Sequence, residues 1–377
     1  MDFTHTEERR MLGETIARFL SDRYDIETRN QLAASDEGFS RELWSEMAEL
    51  GIVGALFKEE DGGFGGKGFD ISTVFEELGR AGVVEPFLDT AILGGGLLAA
   101  IGSDDQKALV EEVIGGGLHL ALAHGEPASR FDLSRVETTA KADGGDIVLN
   151  GRKAVVVNAE AADHLIVSAR ESGSAADKDG ISLFLVAKDA AGLTMRGYPM
   201  LAGGRAAEVT LDGVKVPASA RLGAAGKGFA PLMDVIAKAN VALAAEALGA
   251  MHSAVELTRE YLTTRKQFGR PIGTFQALAH RYSDLLIEME QATSAVINAA
   301  GHLEVDAAER DRQIASTRNL IGRVGRLVAE ESIQMHGGIA MTKEYELAHI
   351  AKRIVMTDHR FGDADYHLER FIELSAA

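Results

Sequence analysis

Cysteine is absent from the 377-residue chain. That excludes a disulfide framework, a thiol nucleophile, a thiolate metal site and a cysteine-ligated iron–sulfur cluster carried by this chain. Positive charge is short as well: 39 Lys and Arg stand against 57 Asp and Glu, a formal net charge of −18. A field of that sign repels phosphate backbones and anionic membrane surfaces, so no nucleic-acid partner is expected. No run of about 18 apolar residues occurs. The start, Met1-Asp2-Phe3-Thr4, lacks a basic n-region and an apolar h-region. From these absences the chain is expected to be soluble, not exported, not stably inserted in a membrane, and cytoplasmic. Missing too are a G-x-G-x-x-G after a predicted strand, a Gly-x-Ser-x-Gly elbow and a His-Glu-x-x-His pair. A Rossmann domain, a serine hydrolase and a zinc hydrolase lose their usual marks. His336, His349, His359 and His367 have no carboxylate companions at ligand spacing, and no metal site is expected.

At roughly 100–200 residues per domain the length implies two or three packed units. What is present divides into three stretches. Residues 1–117 read as helical, opening on a capping-box pattern, Thr4-His5-Thr6-Glu7, with an apolar face at Leu12, Ile16, Phe19 and Leu20. Leu43, Trp44 and Met47 fit one helix face, and Gly51 stands where a left-handed cap belongs. The cluster Gly62-Gly63-Phe64-Gly65-Gly66 has no Lys-Ser/Thr signature and reads as a plain loop. Residues 118–225 change to short β-rich runs. Ile147-Val148-Leu149 and Ala154-Val155-Val156-Val157 flank Asn150-Gly151, a hairpin-turn dipeptide, and Asp212-Gly213 separates two further runs. A small antiparallel domain is expected there. Residues 226–377 return to long helical patterns, interrupted by proline only at Pro231 and Pro271, and read as a helical bundle. The fold class is thus mainly α with an inserted β domain.

Two stretches carry chemistry: Arg265-Lys266-Gln267-Phe268-Gly269-Arg270-Pro271-Ile272-Gly273-Thr274-Phe275-Gln276, and Gln334-Met335-His336-Gly337-Gly338-Ile339-Ala340-Met341. With the α, β, α order, Leu211-Asp212-Gly213-Val214-Lys215-Val216-Pro217 and the terminal Phe361-Gly362-Asp363-Ala364-Asp365, they resemble the acyl-CoA dehydrogenase family over essentially the whole chain. Within the family, the small-subunit type of pimeloyl-CoA dehydrogenase is the nearest in pattern. The resemblance implies an FAD-dependent α,β-desaturation of an acyl-CoA thioester. A carboxylate takes the α-proton while the β-hydrogen leaves as hydride to the flavin. It also implies a homotetramer, or a heterotetramer with a large subunit, and electron-transferring flavoprotein or a similar acceptor as oxidant. By the same resemblance Arg265 binds the FAD diphosphate, where its donor fork matches phosphate oxygens. Gln267, Phe268 and Gln276 lie near the cofactor, and Gln334, Gly337 and Gly338 approach it from a neighbouring subunit. Paired glycines let a backbone come close without Cβ obstruction.

The sequence departs from the family where the base is concerned. Phe361 stands in the slot that often holds a Glu, or Gly362 after a one-residue shift. The second family location falls on Ala239, followed by Asn240. Glu246, seven residues on, shares a helix face with Ala239 but lies ~10.5 Å further along the axis. Its neighbours are apolar, which suits an acid–base residue. Glu246 is therefore the first candidate base, and Asp363, beside the vacated slot, is the second. In the β stretch, Gly125 falls where the family offers a Thr or its backbone to the flavin, and Val155 and Val157 replace a Trp and a Thr behind the ring. These absences also suit a partner chain that completes the FAD site of a heteromeric dehydrogenase without supplying the base.

Overall fold

A computed structural model describes residues 6–376. In chain order the helices are α1 (Glu7–Arg23), α2 (Ile26–Ala33), α3 (Arg41–Glu49), α4 (Gly68–Ala81), α5 (Gly96–Ile101), α6 (Asp104–Ile114), α7 (Phe229–Thr264), α8 (Gln276–Gly301), α9 (Ala307–His336), α10 (Leu347–Thr357) and α11 (Ala364–Ala376). A wide helical turn with i→i+5 bonding covers Phe87–Gly95. The strands are β1 (Leu120–Ala123), β2 (Thr139–Asp143), β3 (Asp146–Val157), β4 (His164–Arg170), β5 (Ile181–Ala187), β6 (Leu193–Pro199), β7 (Arg205–Pro217), β8 (Arg221–Leu222), β9 (Lys266–Gln267) and β10 (Arg270–Pro271). The mainly α chain with an inserted β sheet is what the periodicity leads one to expect.

Packing divides the chain into two compact units. Among the described residues, one comprises 6–30, Lys67–Val83 and 240–376; the other comprises Gln31–Gly66 and Val84–Ala239. In the first, α1 begins at an N-cap Thr6 whose hydroxyl accepts from the Arg9 N–H at 3.3 Å. The Thr4 of the expected capping box lies outside the described residues. Helices α4 and α7 approach until backbone meets backbone. A Cβ on Gly79 would stand 2.0 Å from the Glu246 carbonyl oxygen, and one on Gly249 would stand 1.9 Å from that of Glu76. Only glycine permits this crossing. Gly249→Ala should destabilise the protein by about 2 kcal/mol or more, as overpacking does, seen as a lower urea midpoint with an unchanged slope. An unchanged midpoint would show that the two helices separate freely.

In the second unit, α3 starts at Ser40, whose side chain accepts from the Leu43 N–H at 3.2 Å. It buries Leu43, Trp44 and Met47, and Gly51 follows in the left-handed region at φ 81°. Both meet the expectation from sequence. The glycine-rich loop also behaves as an ordinary loop. Gly63, Gly65 and Gly66 spend their N–H groups on the carbonyls of Lys58, Phe57 and Ala55, so no nest of donors is left for a phosphate.

The sheet runs in the order β6-β7-β3-β2-β4-β5-β8, with β1 added on β4. Two sequence expectations are corrected here. The sheet is not wholly antiparallel, because β1 pairs with β4 in parallel register, Leu120 opposite His164. And Asn150-Gly151 is no hairpin turn: β3 passes through it unbroken, while β2 and β3 are joined at Gly144-Gly145. Instead, Asn150 alone lies opposite Asp212-Gly213 in a register shift between β3 and β7, with Gly151 already opposite Leu211. Asn150 Oδ1 accepts from the Gly213 N–H at 2.8 Å. The same dipeptide chemistry that makes turns also makes bulges. Gly151 is needed there because a Cβ would sit 2.4 Å from Thr138 Oγ1.

Candidate active site

The last turn of α7 runs into a tight hairpin that carries the first motif. Gln267 pairs with Arg270 across β9 and β10. Phe268 and Gly269 make the turn at φ 52° and 79°, the pair of positive angles of a type I′ turn. A phenylalanine held in the left-handed region is unusual, and its ring is 91% exposed. Phe275 meets that ring edge-on at 6.1 Å, and the Arg270 guanidinium sits 4.2 Å from the Phe275 centroid. Arg265 is exposed, and its guanidinium makes no ion pair among the described residues. Gln276 opens α8, also exposed. The hairpin therefore offers a cation and an aromatic face.

The second motif closes α9. Gln334 is exposed, Gly337 caps the helix at φ 68°, and a Cβ at Gly337 or Gly338 would meet nothing within 4 Å. One buried contact ties the motifs together within this chain: His336 stacks on Tyr261 with centroids 4.5 Å apart. Tyr261, one turn before Arg265, also accepts the Arg265 N–H at its carbonyl, 2.9 Å away. Burial pushes the His336 imidazole down from its ordinary value, while Nδ1 lies 2.8 Å from the Ser332 carbonyl oxygen. A neutral ring there spaces two open, polar-backbone edges. An open glycine pair and a free guanidinium fit a diphosphate-bearing group.

The two candidate bases are placed apart and engaged differently. Glu246 is 6% exposed on α7, as its apolar neighbours imply, but it is not bare: Arg353 Nε donates to Oε1 at 2.5 Å. Asp363 serves as the cap of α11, its Oδ1 accepting from the Tyr366 N–H at 2.9 Å. The segment before it is held by Arg318 of α9, only 1% exposed, whose Nη2 donates to the carbonyls of Thr357 (3.2 Å), Arg360 (3.0 Å) and Gly362 (3.3 Å). Phe361 sits in that clamped segment at φ 57°. Sequence reasoning missed half-buried Arg353 and buried Arg318, because helical periodicity marks neither as a partner of a distant segment. Burial pushes the Arg318 guanidinium down to about 10, with Asp358 and Glu246 pulling the other way. Burial pushes the Asp358 carboxyl up.

In the β unit, Gly125 follows β1 and is half-buried, and its carbonyl accepts from the Ala154 N–H at 2.8 Å. Val155 lies in a second irregularity between β3 and β7, at φ 53° and 59% exposed. A β-branched residue in that conformation stores roughly 1–3 kcal/mol of strain. Val157 is half-buried at the end of β3.

Family models match the chain in three consecutive blocks: acyl-CoA dehydrogenase, N-terminal domain, over residues 6–113; middle domain, over 121–214; and C-terminal domain, over 226–373. The chain is 34% identical over 312 residues to the benzylmalonyl-CoA dehydrogenase of Aromatoleum aromaticum, covering 80% of each chain. Its fold is similar to that of the ChsE4–ChsE5 complex from Mycobacterium tuberculosis, with a TM-score of 0.89, 26% identity, and coverage of 100% of this chain and 99% of that one. An FAD complex of PigA is similar at a TM-score of 0.92 and 26% identity, again over 100% and 99% of the two chains. Among the described residues, no helix is long and apolar enough to cross a membrane.

Proposed function

Because the chain belongs to the acyl-CoA dehydrogenase family and is one of its FAD-dependent oxidoreductases, we propose that it works as one subunit of a heteromeric dehydrogenase that desaturates an acyl-CoA thioester, with a large subunit supplying the base. The observation that carries this reading is the absence of a disengaged carboxylate at the expected places. Phe361 fills one, Ala239 the other, Glu246 is bonded to Arg353, and Asp363 caps α11. The small-subunit resemblance supports it, as does the likeness to a two-component complex.

When bound, FAD supplies the acceptor for the hydride leaving the β-carbon. Arg265 would hold the diphosphate, with Gln267, Phe268 and Gln276 beside it. Gln334, Gly337 and Gly338 would offer backbone and amide to the same cofactor across a subunit boundary. The exposed Phe268 ring would then gain a covered position. In the β unit Gly125 would face the flavin ring with its backbone alone. Electron-transferring flavoprotein is the proposed oxidant. A second reading keeps the chain as a self-sufficient homotetramer, with Glu246 as base and Asp363 behind it; the burial of Glu246 favours it.

Anaerobic bleaching of bound flavin by an acyl-CoA panel separates the two. The expected result is bleaching only after co-expression with a large subunit, unchanged in Glu246→Gln within that complex. Bleaching by the chain alone, abolished in Glu246→Gln, would overturn the heteromeric reading and make Glu246 the base.

A further inference from the structure

The β unit buries a full charge for which the reading above has no use. Lys153 of β3 has no solvent exposure. Its ammonium donates to Glu126 Oε1 at 2.6 Å, to Ser168 Oγ at 3.0 Å and to the His124 carbonyl at 3.3 Å. Ser168 Oγ in turn lies 2.8 Å from His124 Nδ1. The Glu126 carboxylate also accepts from the N–H groups of Glu137 (2.7 Å) and Thr138 (3.0 Å). A lysine rarely stays wholly buried unless paired, since desolvation costs it several kcal/mol. Burial pushes this one down to about 8, against the pull of Glu126.

The arrangement grips the chain on both sides of one residue. The ammonium holds the carbonyl of His124 and the side chain of Glu126, and the Ala154 N–H, next to Lys153 on β3, holds the carbonyl of Gly125 between them. The N–H of Gly125 makes no hydrogen bond among the described residues, although most backbone donors away from bulk water are paired. A half-buried turn fixed at three points and left with one free donor is prepared for an acceptor. We propose that Lys153 is a positioning residue for the flavin: its buried ammonium fixes the His124–Gly125–Glu126 turn so that the free Gly125 N–H donates to the isoalloxazine edge. This rests on the FAD reading of the preceding section.

The test uses the holoprotein, assembled with its large subunit where one is required. Lys153→Met combined with Glu126→Gln removes both charges and leaves no unpaired ion. It should retain the far-UV spectrum of the wild type, bind FAD about tenfold or more weakly, as loss of a well-placed hydrogen bond allows, and shift the visible band of the bound flavin. Ser168→Ala, which keeps both charges and removes one acceptor of the ammonium, should shift the band the same way with a smaller loss of affinity. If the double variant does not fold, Ser168→Ala decides alone. Wild-type affinity and an unmoved band in whichever variant folds would overturn the proposal and leave the Lys153 pair a packing device. A wild-type protein that takes up no FAD in any assembly would instead sink the FAD reading, and this inference with it.

Discussion

Taking the protein from about pH 7.5 to about pH 5.5 should remove about 3 kcal/mol from the stability of the β-rich unit, because two of its histidines are buried as neutral rings. Burial, then the nearby Arg41, pushes His119 down to about 4, with Asp163 opposing. Burial, then Lys153, pushes His124 down to about 3. In the unfolded chain both titrate near 6.5, so between that value and the folded ones the unfolded state binds more protons. Stability then rises with pH: it is fully present above about 6.5 and is lost progressively as the pH falls below it. Each ring contributes about 1.4 kcal/mol per pH unit in that window. The helical unit carries His367, pushed down to about 2 by burial and then by Arg318, together with His252 and His336, both also pushed down chiefly by burial, and should lose stability over the same window in the same direction. Urea midpoints at three pH values, followed by far-UV circular dichroism, measure the slope. His124→Asn should halve the slope of the β-rich unit. A flat profile down to pH 5.5 would mean that these rings are charged in the fold or reached by water.

How much of this the sequence discloses depends on the range of the interaction. The face of Leu43, Trp44 and Met47 and the cap at Gly51 are set by neighbours three or four residues away, and both read correctly. The motif around Arg265 reads from sequence only as a resemblance; its type I′ turn does not, because Phe268 is not a residue that favours the left-handed region. Asn150-Gly151 misleads because a bulge and a hairpin share their local chemistry; only the pairing with β7, some sixty residues later, decides between them. Lys153 sits in an alternating strand where a lysine normally faces water, and its partners come from 15 to 29 residues away. The fate of Glu246 is the most distant case. Its apolar surroundings are visible on α7, but the arginine that occupies its carboxylate is 107 residues along the chain. Candidate bases chosen from helical spacing alone therefore need their partners checked before a role is given to them.

The same distance effect makes Arg318 the residue whose loss should be felt most in the helical unit. Arg318→Met keeps most of the side-chain volume but removes the donor shared by the carbonyls of Thr357, Arg360 and Gly362. It also leaves Asp358 without a neighbouring charge that favours its ionised form. Unsatisfied buried acceptors cost about 1–3 kcal/mol each when water cannot reach them, and breaking a buried charged contact costs about 3–5 kcal/mol. A loss near 4 kcal/mol is expected, lowering the melting temperature by roughly 10 °C. The damage should be local before it is global. Residues 358–363 join α10 to α11 through Phe361 at φ 57° and Gly362 at φ 122°, a conformation that the chain does not hold unaided. Asn319 Nδ2 still donates to the Ala364 carbonyl at 2.8 Å, so α11 should stay docked at its first turn while the segment ahead of it opens. Hydrogen exchange should therefore speed up at residues 358–363 in Arg318→Met well below the melting transition. Arg318→Lys, which keeps the charge but cannot reach three carbonyls at once, should fall between the two. Melting within about 2 °C of the wild type, with unchanged exchange there, would show that the segment is held by packing of Phe361 and not by the guanidinium.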